Sequence, residues 1–262
     1  MGEAGAELRP AVEKHSVPVI DRMMDILTEL ERRVEGVSIT DLTATLRQPR
    51  SSVYRILNTL ERHEVVRRDA TGTYVLGARL LSLAAHVADP GETDLREVAQ
   101  PVLNRLAEVL GEGIKLSVMD AQGLLVIATA QGRRQYALNV RPGQRLPLHV
   151  GAAGKVLLSH LSEVERRKHL KGDLTSPAGK PVDIAALNLE LDRIRVDGWA
   201  RDWGDQAASI HAVAVPVTDA SGRVMAALSV PFLAGAGEER VTEIRAAAQG
   251  AGTQLSARLR EG

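Results

Sequence analysis

An α+β chain of two domains is predicted by three observations. Residues 19–63 carry three short stretches of helical periodicity, broken at "EGVS" and "RQP" and followed by two β-rich runs around "DATG". A short alanine-containing segment then leads into "ADPGETD", which reads as a linker. Beyond it, helical and strand patterns alternate to the end of the 262 residues, a length that suits one large domain or two ordinary ones. The expected boundaries are a flexible start at 1–16, a three-helix and hairpin domain at 17–78, a linker helix at 79–94, and a larger domain at 95–262.

Composition narrows the chemistry. A hydrophobic share of 44% and a charged share of 25% are those of a globular protein. The sequence has no cysteine, which removes disulfides, thiolate zinc sites and cysteine nucleophiles, and fits a reducing cytoplasm. The opening "MGEAGAELRPAVEKHS" lacks the apolar core of a signal peptide, and no apolar run approaches the ~20 residues a membrane span needs. A cytoplasmic protein with no membrane partner is expected.

Within the first domain, Ile20, Met23, Met24, Leu27 and Leu30 recur at helical spacing over Val19–Val34. Ser38 or Thr40 can cap a second helix carrying Ile39, Leu42 and Leu46, and Pro49 suits the first turn of a third that runs to about His63. Helix, break, helix, hairpin is the order of a winged helix-turn-helix. Lysine plus arginine equal aspartate plus glutamate at 33 each, yet Leu46–Arg68 holds six arginines against two glutamates. That concentration is expected of a phosphate-facing surface. Val53, Ile56, Leu57 and Leu60 form the buried stripe of the third helix. The opposite side presents Ser51, Arg55, Asn58 and Arg62, with Ser52 and Tyr54 beside them, and Arg50 stands at the helix start. Arg67 and Arg68 enter the hairpin, where a wing touches DNA backbone. These nine residues are the expected contacts with a double-stranded operator.

In the larger domain, Leu95–Leu110 reads as a helix, with Pro101 as a start or kink, and "IKLSVMD", "LLVIATA" and "QYALNV" read as strands. "GAAGKVLLSHL" begins a helix at a glycine-rich turn, Ile184–Trp199 is another, and "HAVAVPVTDASGRVMAALSVPF" is two strands around "DASG". A closing helix spans Glu238–Arg260. "GAAGK" is not a phosphate loop, because His149 stands where the first glycine belongs and Val156 follows the lysine. Its exposed amides at Gly151, Ala152, Ala153 and Gly154 instead suit a polar acceptor. The histidines show no metal-ligand spacing, so no metal is expected. Ser229, His149 and Asp202 could form a hydrolase triad only on paper, since Ser229 sits in a strand pattern with no nucleophile elbow.

"SITDLTATLRQPRSSVYRILNTLERHEVVRRDATGTYVLGARLLSL" resembles the winged-helix domain of IclR-type transcriptional regulators. "DLREVAQPVLNRLAE", "GQRLPLHVGAAGKVLLSHL", "DGWARD" and "AVPVTDASGRVMAALSVP" resemble that family's effector-binding domain, in the right order. The resemblance covers about Val19–Leu259. It implies a GAF-like domain with an antiparallel sheet, a homodimer or dimer of dimers, a small-molecule effector and no cofactor. It also implies that the 151–154 segment lines the effector pocket with Asp202 and Ser229. The sequence departs from the family at Ala212, where a cysteine is common, and at Pro231, where a serine is common. The expected effector therefore has an apolar ring or acyl body, lined by Met119, Ile127, Leu138 and Phe232, with His149 and Trp203 at the pocket edge. Its polar head is expected to be a hydroxyl, amide or hydrazide rather than a carboxylate, which ionised Asp202 would repel. The resulting expectation is a ligand-controlled repressor of a catabolic operon, not an enzyme. A small-molecule enzyme using Asp202 or His149, and a DNA-binding architectural protein without ligand control, are the alternatives.

Overall fold

The computed structural model describes residues 16–33, 35–84, 95–120, 123–134, 138, 141–177, 179 and 181–261. Residues 1–15 of the expected flexible start at 1–16, most of the "QYALNV" strand and the "ADPGETD" linker lie outside those residues. The chain divides into two compact units, residues 1–92 and 93–262.

The first unit runs α1 (Pro18–Arg32), α2 (Ile39–Leu46), α3 (Arg50–Arg62), β1 (Val66–Arg68), β2 (Tyr74–Leu76) and α4 (Arg79–Ala84). Ser38 caps α2 by accepting the Asp41 amide proton at 3.1 Å. Arg47 then turns left-handed at φ 50°, and Pro49 occupies the cap position just before α3 rather than its first turn. The residue ahead of a proline is kept out of the helical region, so α2 and α3 cannot fuse into one rod. Ile26, Leu30, Leu42, Val53, Leu57 and Leu60 bury into one core, closed by Val66 and Tyr74 from the hairpin.

The hairpin turn 69–73 is built by one carboxylate. Asp69 Oδ1 accepts the Thr71 and Thr73 amides at 2.9 and 3.0 Å, and both threonine hydroxyls also donate to this carboxylate. Those donors, the hydroxyls first, hold the Asp69 carboxyl down at about 2. Asp219 builds the "DASG" turn the same way through Ser221 and Arg223. A repeated Asp-Ala-Ser/Thr-Gly pattern thus gives a repeated turn.

The second unit runs α5 (Leu95–Leu110), β3 (Ile114–Asp120), β4 (Gly123–Ala130), β5 (Arg145–Leu146), α6 (Ala152–Ser159), α7 (Glu163–His169), α8 (Ile184–Asp197), β6 (Ala200–Trp203), β7 (Ile210–Thr218), β8 (Val224–Leu233) and α9 (Glu238–Glu261). Its sheet has the order β5-β4-β3-β8-β7-β6, antiparallel throughout. Pro101 lies inside α5 and marks no start. Two elements escape the periodicity. The seven residues of α7 are too few for a pattern, although Ser162 and Glu165 form the capping box that "SEVE" spells. β6 is four residues long and follows α8 after the left-handed cap Gly198.

Strand alternation sends side chains to two layers. Ile114, Leu116, Val213, Val215, Leu228 and Val230 face α5 and α9. Ala212, Ala214 and Ala227 face α6 and α8. A bulge at Leu116/Ser117 changes the phase of β4, so Leu124 and Val126 belong to the α6 layer whereas Ala128 and Ala130 belong to the α5 layer.

Candidate nucleic-acid interface and ligand cavity

α3 buries Val53, Ile56, Leu57 and Leu60 and leaves its opposite side to solvent. At about 100° per residue, Ser51, Arg55, Asn58 and Arg62 fall within an arc of about 60°, directly opposite the core stripe. All four are exposed. Tyr54 flanks them at 52% exposure, while Ser52 turns the other way and is half-buried facing α1. Arg50 at the helix start lies 3.4 Å from Thr40 Oγ1, tying α3 to α2.

Arg67 and Arg68 are not equivalent. Neighbouring residues of a strand point to opposite faces, and Arg68 pairs across the hairpin with the buried Tyr74. Its guanidinium lies 5.8 Å from the Tyr74 ring centroid, and its Nε donates to the Gly72 carbonyl at 3.1 Å. Arg68 therefore clamps the turn, and Arg67 is the arginine left on the outer face of the wing.

In the second unit a cavity of about 150 Å³ lies between the sheet and the start of α6. Gly151, Ala152, Ala153, Gly154, Asp202, Ala212, Ser229, Pro231 and Leu138 line it. Two glycines shape this wall. Gly151 caps α6 at φ 78°, a backbone that L side chains rarely adopt. A Cβ on Gly154 would stand 2.2 Å from the Leu148 carbonyl oxygen, so only glycine lets the helix approach so closely.

Asp202 is 2% exposed. Its Oδ1 accepts the Gly204 and Asp205 amides at 2.9 and 2.7 Å, and its Oδ2 faces Gly151. Burial raises its pKa, against the pull of those amides and of Lys155. Lys155, the lysine of "GAAGK", is also buried but is matched: its Nζ pairs with Glu190 at 3.0 Å and with Asp205. Burial works against its charge, yet the bond to Asp205 and the charge of Glu190 prevail and its pKa is raised. This lysine braces the 204–206 loop, which contributes Gln206 to the cavity.

Other expected lining residues lie elsewhere. Trp203 follows Asp202 on β6 and so points to the other face, 40% exposed, its ring 4.7 Å from His211 and 6.1 Å from Phe232. Phe232 alternates with Pro231 and packs in the α5 layer. Ile127 sits in the β4 bulge and leans on that same layer. Met119 has the right phase but lies beyond the cavity, beside the β3–β4 turn. His149 Nε2 lies 2.9 Å from the Thr175 carbonyl, and His149 does not line the cavity that Ser229 and Asp202 share. The residues that sequence reasoning missed are Lys115, Leu124, Gln144, Leu146, Val150, Gln206 and Ile210. For Lys115 a signal existed: in "IKLSV" a lone lysine stands between the buried Ile114 and Leu116.

Comparison with known proteins bears on both units. Residues 19–70 match the IclR helix-turn-helix domain, and residues 90–257 match the model described as bacterial transcriptional regulator IclR C-terminal. Among curated proteins, the HTH-type regulator RhmR of Escherichia coli (strain K12) is 31% identical over 84% of this chain and 84% of its own. The HTH-type repressor AllR of Salmonella typhi is 27% identical over 93% and 88%. A crystal structure of an IclR transcriptional regulator from Alicyclobacillus acidocaldarius superposes with a TM-score of 0.77 at 26% identity, covering 94% of this chain and all of the other. With both family domains matched in order over most of its length, the chain belongs to the IclR family and is a DNA-binding transcriptional regulator.

Proposed function

We propose that this regulator is a repressor of a catabolic operon, released or recruited by a small organic effector bound in the cavity at the start of α6. The observation that carries the DNA half is the single arc of Ser51, Arg55, Asn58 and Arg62 on the solvent side of α3. These side chains match base edges and phosphates in a major groove, and Arg50 and Arg67 flank them as backbone contacts. Repression is favoured by the likeness to AllR, which is named a repressor. Effector control is favoured by a cavity that combines apolar walls with a few inward polar groups.

Gel shifts on the region upstream of its own gene test the assignment. Arg55→Ala should weaken specific binding by about 1–3 kcal/mol and relax preference at one base position. Arg67→Ala should weaken binding to all sequences alike and lower the salt slope by about one. Arg68→Ala should act less directly, by loosening the turn it clamps. Unchanged operator affinity in Arg55→Ala would remove α3 as the reading helix.

We further propose that it acts as a homodimer or dimer of dimers on a palindromic operator. A single module covers only about 600–1,000 Å² of surface on DNA, too little to select one site among many. Sedimentation with operator DNA should show two or four chains per site, and a lone chain bound stably there would refute this.

A further inference from the structure

One wall of the cavity is a loop rather than a helix or strand. Residues 204–209 join β6 to β7, and Gln206 of this loop lines the cavity together with Ile210 beside it. A Cβ on Gly151 would lie 3.1 Å from Gln206 Oε1, so the loop rests against the start of α6. Among the described residues none of 204–209 belongs to either hydrophobic layer, and Ala208 and Ser209 are exposed. At the far end the Ala234 amide donates to the Ser209 carbonyl at 3.0 Å, where β7 and β8 begin to pair. At the near end Gly204, at φ 96°, supplies a hinge residue. A segment with so little buried apolar surface opens at low free energy unless polar bonds hold it.

Two such bonds hold its first half. The Asp205 amide donates to Asp202 Oδ1 at 2.7 Å, and the Asp205 carboxylate pairs with the buried Lys155 ammonium of α6. Lys155 pairs also with Glu190 of α8, at 3.0 Å. This double pairing gives the contact two tolerable states. Taking away the sole partner of a buried charge is costly, because the charge is left unmatched. Lys155 keeps Glu190 when Asp205 departs, and the Asp205 side chain, already 43% exposed, passes to water. Asp202 loses an amide donor in the same movement, and the opening admits water to replace it. Lys155 and Asp205 border a second hollow of about 580 Å³ that shares no lining residue with the cavity. The departing carboxylate therefore has room to swing outward.

Resting on the ligand-control reading, we infer that the 204–209 loop is the gate through which the effector enters and leaves, and that Lys155 and Asp205 are the positioning residues that hold it shut. Glu190 is the rest partner that keeps the lysine matched while the gate is open.

The sequence has no cysteine, so one introduced thiol reports the gate without a ligand. Ala212→Cys places it on the cavity wall, at a position 7% exposed where the family commonly carries cysteine. Its labelling by methyl methanethiosulfonate, a small neutral thiol reagent, is followed by mass spectrometry on the full-length protein. When opening and closing are fast, the labelling rate tracks the population of the open form. Adding Asp205→Asn should raise that rate at least about fivefold, since it removes a charge-assisted bond that is half exposed. Glu190→Gln removes the lysine's other carboxylate but leaves the gate fastened, and should not raise the rate. Ser256→Cys, a near-isosteric thiol buried on α9, reports opening of the whole unit and should label equally slowly with and without Asp205→Asn. Should Asp205→Asn fail to fold, Asp205→Ser tests the same bond. An unchanged rate at Ala212→Cys would overturn the gate. So would an equal rise in Glu190→Gln, which marks the pair as a plain brace, or an equal rise at Ser256→Cys, which marks general loosening. The two readings fail separately, because the labelling involves neither effector nor DNA. A gate that opens as described in a protein whose DNA affinity no small molecule shifts would reject ligand control alone.

Discussion

Leu57→Ala should abolish DNA binding while leaving ligand binding in the second unit intact. Leu57 is 0% exposed, in the middle of α3, and belongs to a core confined to the first unit. Truncating a buried leucine costs about 2–5 kcal/mol, the transfer of the lost carbons plus the cavity left behind. A unit with so small a core holds only about 3–5 kcal/mol in total. The loss is therefore of the same size as the stability, and the recognition helix melts with its core. The second unit has its own packed layers on both faces of the sheet and should be untouched. Thermal melts by circular dichroism should lose the first unit's transition, and titration of a cavity ligand should still give wild-type affinity. Wild-type operator binding by this variant would show that the first unit's stability comes from elsewhere.

The second large effect concerns one methyl group. An alanine in a helix interior is normally favoured over glycine by about 1 kcal/mol. At Gly154 the sign should reverse, because the new Cβ would stand 2.2 Å from a backbone carbonyl oxygen, and no rotamer can move a Cβ. Overpacking of this kind costs about 1–3 kcal/mol, and here the relief must come from displacing α6. That displacement moves the Ala152 and Ala153 amides off the cavity wall. Gly154→Ala should lower the melting temperature of the second unit and weaken ligand binding. Gly250→Ala is the control: a Cβ there meets nothing within 4 Å, so it should be neutral or stabilising by about 0.5–1 kcal/mol. Equal behaviour of the two variants would mean that the close approach of α6 to Leu148 is not tight in solution.

The two halves of the protein were not equally legible. The periodicity of α3 placed Val53, Ile56, Leu57 and Leu60 in the core and Ser51, Arg55, Asn58 and Arg62 outside, and every one of them lies where that spacing put it. The cavity was read less well. Gly151–Gly154, Asp202, Ala212, Ser229 and Pro231 came from the resemblance, and they do meet at one wall. The apolar lining guessed around them failed wherever it ignored alternation. Trp203 and Phe232 adjoin true lining residues in sequence, and on a strand that adjacency sends them to the opposite face.

What the sequence determined by itself is everything that depends on short spacing. Helix faces, the Ser38 cap, the Asp69 and Asp219 turns, and the family likeness all rest on residues a few positions apart. Tertiary structure alone decided which distant strands share a face. The register that sets Lys115 opposite Ser229 spans more than a hundred residues, and the bulge at Leu116/Ser117 shifts β4 by one residue, exchanging its two faces. Strand pairing obeys no local period, so the place of Lys115 at the cavity wall could be found only once the sheet was assembled.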